Sequence, residues 1–154
     1  MTAVDYLITV GLSLAPIAEL RGGLPYALSR GASPALAFAV AVAANLLVAP
    51  ILLFGLGRIE RVLRRWRPAE RLLDGLFSRT RRKGRLVERL GAIGLVLLVA
   101  IPLPGTGAWT GSIAAILLGV PVRRALLLIA LGVVIAGLLV LFASLGAFSL
   151  LGVG

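Results

Sequence analysis

Pro16-Ile17-Ala18-Glu19-Leu20-Arg21-Gly22-Gly23-Leu24-Pro25 sets two charged side chains inside an otherwise apolar stretch and brackets them with residues that break helices. What surrounds this segment decides how it is read. Three runs carry no charge at all: Ala32 to Gly57, Gly91 to Val122, and Ala125 to Gly154. Uncharged apolar runs beyond about 18 residues argue for membrane helices. The chain is 60% hydrophobic with 14% charged residues, against about 25% charged in a soluble domain. A soluble core of 154 residues could not bury these runs, so the chain reads as an integral membrane protein. Glu19 and Arg21 then stand in or near hydrocarbon, where a charge costs about 2.5–3.5 kcal/mol on insertion scales. Such residues are functional by default.

The remaining charge is concentrated. Between Arg58 and Arg89 lie 12 of the 16 basic residues and four of the six acidic ones, a local net of +8. The positive-inside rule places this segment in the cytoplasm, and the chain in the inner (plasma) membrane as a multi-pass protein. A basic tract can bind nucleic acid, but topology explains this one more simply, and no nucleic-acid partner is expected. Ile59, Val62, Leu63 and Trp66, then Leu72, Leu73, Leu76 and Phe77, recur at helical spacing between the arginines. Residues 58–89 read as amphipathic helix on the inner leaflet, arginines toward anionic lipid headgroups. A solvated connector with snorkelling arginines fits the same pattern.

The absence of cysteine and histidine excludes disulfides, Cys/His zinc sites, thiol catalysis and histidine proton relays. No cofactor, metal site or catalytic residue is expected, and the chain reads as a non-enzyme. The N-terminus carries Asp5 and no basic residue before Arg21, unlike a signal peptide, so residues 1–30 read as part of the mature protein.

Two segments share one plan. Ser33 and Pro34 open a full span over 34–57, with Ala35, Ala39 and Ala43 as a small-residue face for close helix contact. Asn45 in this span reads as an interhelical hydrogen bond, Pro50 as an irregularity. A second span is predicted at 125–149. Each span follows an apolar segment with a broken centre: Pro16 to Pro25 before the first, Pro102-Leu103-Pro104-Gly105-Thr106-Gly107 before the second. Pro16 to Pro34 is 18 residues and Pro102 to Pro121 is 19. If 91–120 crossed fully, Arg123 and Arg124 would land opposite the basic segment, against the charge rule. A re-entrant hairpin returns them to the same side. Span one then runs toward the basic segment and span two away from it, so the halves are oppositely oriented. The fold class is therefore all-α integral membrane: repeat 1 over 1–57, a basic amphipathic linker over 58–90, and an inverted repeat 2 over 91–154. Inverted repeats with broken helices are a secondary-transporter pattern, with sites where the breaks meet near the midplane. Gly107, Gly111, Ala115 and Gly119 supply a second small-residue surface, and two spans with two hairpins enclose little alone, so a homodimer is expected.

At Glu19-Leu20-Arg21-Gly22-Gly23-Leu24-Pro25 and Pro102-Leu103-Pro104-Gly105-Thr106-Gly107-Ala108-Trp109 the chain resembles the small multidrug export proteins, distant relatives of the DedA and VTT-domain membrane proteins. The resemblance covers nearly the whole chain. It implies a membrane transport role with two re-entrant hairpins facing each other. Relatives in the wider superfamily are associated with moving lipids, including polyprenyl-phosphate carriers.

If the tips meet, Gly22 and Gly23 allow close backbone approach to a ligand, and Pro25 opens the next half-helix. Thr106 caps the half-helix from Gly107, whose N-terminus favours an anion. Arg21 adds a permanent charge whose fork suits phosphate. Glu19 is the candidate proton-coupling carboxyl, or a counter-charge for a cationic drug. Trp109 and Thr110 are candidate lining residues, with ordinary packing an equal reading for Trp109. The expected substrate-binding set is Glu19, Arg21, Gly22, Gly23, Pro25, Pro102, Pro104, Gly105, Thr106, Gly107, Trp109 and Thr110. The expected activity is proton-coupled export of small amphipathic or anionic substrates; the alternative is a flippase or scramblase for a phosphate-headgroup lipid. The bland reading is that Glu19 and Arg21 pair with each other or with backbone and hold the hairpin tip.

Overall fold

The computed structural model describes residues 1–63, 85–103 and 105–150, with side chains described over 1–55, 90–103 and 105–150. Among these, every regular element is a helix. The amphipathic pattern expected over 58–89, and Pro104, fall wholly or largely outside the described residues.

Helix α1 (Ala3–Leu14) opens on a capping box in which Thr2 and Asp5 exchange side-chain and backbone hydrogen bonds. Helix α2 (Glu19–Ser29) follows after a break of only Ala15 to Ala18. At the far end Arg30 Nε donates to Asp5 Oδ1 at 2.9 Å and Tyr26 Oη to the same oxygen at 3.2 Å. The two helices therefore run antiparallel. The break is shorter than the expected Pro16 to Pro25 because the glycines and Pro25 serve another purpose. A Cβ on Gly23 would overlap Ser13 Oγ and lie 2.7 Å from the Thr9 carbonyl. Gly23 thus lets α2 close onto α1, and Pro25 sits inside α2 rather than opening a helix.

The first span, Pro34–Gly55, is two helices: α3 (Pro34–Leu46) and α4 (Val48–Leu63). Ser33 Oγ accepts from the Leu36 amide as N-cap, and Pro34 takes the first turn. The interruption at Leu47 has its cause in Pro50. Proline cannot donate to the carbonyl four residues back and clashes with it, so the helix restarts at Val48 and places Pro50 in the new first turn. Helix α3 has two small-residue faces. Ala35, Ala39 and Ala43 are exposed, whereas Ala37, Ala41, Ala44 and Asn45 face the interior.

Helix α5 (Arg85–Ala100) kinks at Gly91, whose φ of 56° is left-handed. Helix α6 (Ala108–Leu117) packs back on α5, with Gly111 pressed to Val99. Helix α7 (Val122–Leu150) starts three residues before the expected 125, directly after Pro121, and takes Arg123 and Arg124 into its first turn. It crosses both halves: Gly132 lies against Val99, and Gly137 against Val42 and Phe38. Of the expected small-residue surface, Gly107, Gly111 and Ala115 are buried, but Gly119 meets open space and ends its turn at φ 65°.

The outward face settles the environment. Leu7, Phe54, Leu127 and Phe142 are 67–73% exposed, and many other large apolar side chains join them. A water-soluble monomer rarely shows apolar patches beyond a few hundred Å². Helix α1 is more telling still: its buried residues are Asp5, Thr9 and Ser13, all polar, while Val4, Leu7 and Ile8 point out. A soluble helix has the opposite polarity. The protein is a membrane protein.

Candidate functional site

A helix end buried inside a protein leaves its last carbonyls or first amides without water. Four ends meet here, and the site is how they are satisfied. Helix α1 ends at Leu14. Asn45 Nδ2 from α3 donates to the Ser13 carbonyl at 2.8 Å, and Trp109 Nε1 from α6 donates to the Leu14 carbonyl at 2.9 Å. Glu19 is 3% exposed and adopts φ 49°, a left-handed conformation unusual for a side chain other than glycine. That turn aims its carboxylate at the start of α6, where Oε1 accepts from the Trp109 amide at 3.2 Å. The carboxylate therefore occupies a helix N-terminus, the end that favours negative charge. The exchange is reciprocal: Glu19 caps the helix that carries Trp109, and Trp109 caps the helix before Glu19.

Arg21 ties the other loose strand. Its Nη1 donates to the Thr106 carbonyl; its Nη2 donates to Ile101 O at 3.2 Å and contacts Thr106 Oγ1 at 3.1 Å. One guanidinium thus bridges the end of α5 and the start of α6. Glu19 Oε2 stands 3.6 Å from Arg21 Nη1, an ion pair with side chains 3% and 18% exposed. Burial favours neutral groups, while the opposite charge and the Trp109 amide favour charged ones.

The structure brings together Glu19, Arg21, Thr106, Gly107 and Trp109, and leaves others apart. Gly107 touches Glu19 so closely that a Cβ would overlap Oε2. Thr106 does not cap α6: the N-cap is Gly107, without a side-chain hydrogen bond, and Thr106 Oγ1 lies 2.7 Å from both Ile101 O and Leu103 O. Thr110 Oγ1 donates to Gly105 O at 2.9 Å, closing the tip on itself. Gly22 and Gly23 serve helix packing, Pro25 lies within α2, and Pro102 is exposed. A cavity of about 310 Å³ lies instead at the other ends of α5 and α6, among Gly91, Leu95, Leu118, Pro121, Arg124 and Leu128. It is apolar but for Arg124 and does not reach the paired charges.

Sequence reasoning passed over Asp5, Thr9 and Ser13. The signal was available, because polar residues at strict four-residue spacing in an apolar segment mark one helix face. It also left Trp109 without its role as the cap of α1.

Asn45 is testable on its own. Replacing it with leucine strands the Ser13 carbonyl, and we expect a loss of about 1–2 kcal/mol. The unfolding midpoint in mild detergent measures this; an unchanged midpoint would show that Ser13 O has another partner.

A family model described as "Putative small multi-drug export protein" matches residues 19–139. The match starts at Glu19 and includes both tips. No curated protein matches, and no solved structure does.

Proposed function

The chain belongs to the small multi-drug export protein family, and on that premise we propose that it is a secondary transporter whose moving contact is the junction of two re-entrant hairpin tips. The hairpins are α1–α2 and α5–α6, each too short per helix, at about 1.5 Å per residue, to cross about 30 Å of hydrocarbon. The halves form inverted repeats, with the basic segment cytoplasmic. The observation that carries the reading is the reciprocal cap: a buried carboxylate of one tip holds the first helical amide of the other. A proton on Glu19 weakens its hold on both the Trp109 amide and Arg21, because a neutral carboxyl is a poorer acceptor and no longer a counter-ion. Protonation thereby loosens the tips, and substrate passes between them. Small amphipathic compounds suit such a gap better than a phosphate headgroup. The two groups that would bind phosphate, Arg21 and the α6 N-terminus, are already engaged by the chain itself. The exposed Ala35, Ala39 and Ala43 face is the contact we assign to a second copy.

Glu19→Gln tests this. Glutamine keeps an acceptor for the Trp109 amide, so the fold should persist. Efflux from proteoliposomes of ethidium or carboxyfluorescein, a cationic and an anionic probe, should lose its acceleration by an imposed pH gradient. Gradient-driven efflux of either probe at the unsubstituted rate would refute proton coupling at Glu19.

A further inference from the structure

Helix α1 carries one continuous polar face. Asp5, Thr9 and Ser13 are 4%, 0% and 0% exposed. Steps of four residues rise about 6 Å each, so the stripe runs most of the length of α1. Its first end meets the Asp5–Tyr26–Arg30 cluster, where Arg30 is 54% exposed and water is at hand. Its other end holds two orphans. Ser13 Oγ and Asn45 Oδ1, both in residues that are fully buried, have no hydrogen-bond partner among the described residues. An unpartnered buried polar atom costs about 1–3 kcal/mol, and a pair in one polar place is where a buried water sits. Gly23 of α2 faces this spot. Beyond it the Leu14 carbonyl meets the Trp109 indole, and the Trp109 amide meets Glu19. The stripe therefore leads to the residue that holds the buried carboxylate. None of α1 lies within the family match, which starts at Glu19.

We propose that Asp5, Thr9, Ser13 and Asn45 line a water-fed proton path from the Asp5–Tyr26–Arg30 mouth to Glu19. The proposal rests on Glu19 as the proton-coupling group. A hydronium ion at the mouth passes its excess proton along waters and hydroxyls to a Glu19 carboxylate oxygen, and neutral water remains. Thr9 Oγ1 already donates to the Asp5 carbonyl at 2.8 Å, so its oxygen keeps lone pairs with which to accept from a water. Among the described residues, Arg21 is the charge beside Glu19, and Asp5, Tyr26 and Arg30 stand at the mouth; α3 and α6 bring none, and Arg123 and Arg124 lie at the far end of α6. The path opens on one membrane face, the one opposite the basic segment. Access from one side is what lets a proton gradient do work.

The chain has no cysteine, so single thiols report water access cleanly. Thr9→Cys and Ser13→Cys differ little in size from the native residues and should preserve the fold. We expect silver ions to react with both about tenfold faster than with the lipid-facing Ile8→Cys. Equal rates at the three positions would overturn the path. In parallel, Thr9→Val/Ser13→Ala should slow pH-gradient-driven ethidium efflux about tenfold, while downhill efflux at equal pH stays as in the unsubstituted protein. If Glu19→Gln abolishes gradient-driven efflux but the double variant does not, the path fails and the coupling reading stands. If Glu19→Gln leaves that efflux intact, the coupling reading fails and the proton path with it, whatever the thiol rates.

Discussion

Gly107→Ala should lower stability by about 3–5 kcal/mol, the largest loss expected of any single methyl group in this protein. Two independent costs meet at one atom. Gly107 has φ 139° and ψ −157°, a region that is essentially glycine's alone, and a side chain there costs about 1–3 kcal/mol in strain. The added Cβ would also overlap Glu19 Oε2. The carboxylate must then withdraw from the Trp109 amide and from Arg21, leaving buried charge with weakened partners. Gly119 provides the control. Its φ is 65°, also left-handed, but among the described residues nothing lies within 4 Å of its would-be Cβ. Gly119→Ala should therefore cost only about 1 kcal/mol. Detergent unfolding midpoints separate the two. A cycle with Glu19→Ala then isolates the overlap: the double variant should be less destabilised than the sum of the singles by about 1 kcal/mol or more. Strict additivity would mean that the Glu19 carboxylate does not rest on Gly107.

The membrane class, the order of the apolar segments and the meeting of the two broken segments were legible from charge-free runs and from the placement of proline and glycine. Such features are local, and hydropathy reports them directly. What the sequence concealed was the direction in which side chains are used. Gly22 and Gly23 read as room for a ligand, yet Gly23 is room for Ser13, because a missing Cβ looks the same in sequence whether the visitor is substrate or helix. Thr106 read as the cap of α6, the usual role of threonine before a helix. Glu19 takes that role from 90 positions away, through the Trp109 amide, and no local pattern announces a long-range cap. Ala35, Ala39 and Ala43 have the spacing of a contact face, but α3 offers several alanine faces, and within one copy of the chain only the packing of its neighbours shows that Ala37, Ala41 and Ala44 are the buried ones. Asp5 read as an argument against a signal peptide and nothing more. Its place in a four-residue polar series was visible in Thr9 and Ser13, and the helix that buries this series supplies the meaning.

Arg21→Lys should be nearly as damaging as Arg21→Ala, and this is where a purely electrostatic account and a geometric one part. A lysine keeps the charge opposite Glu19. It cannot keep the reach. Two guanidinium nitrogens hold the Thr106 carbonyl, Thr106 Oγ1 and the Ile101 carbonyl, which lie at the two ends of the second tip. A single ammonium on a flexible stem has no fork to span them. Breaking a buried pair by removing one member costs about 3–5 kcal/mol. We expect Arg21→Ala in that range and Arg21→Lys within about 1 kcal/mol of it. Glu19→Gln should fall well short, because the amide oxygen still accepts from Trp109 and the guanidinium keeps its carbonyl partners. Stability and transport then dissociate in a telling order. Glu19→Gln loses the response to a pH gradient while the fold holds; Arg21→Lys loses fold and transport together. Should Arg21→Lys match the unsubstituted protein in both, Arg21 is a point charge that balances Glu19. The joint between the tips must then rest on the Glu19–Trp109 exchange alone.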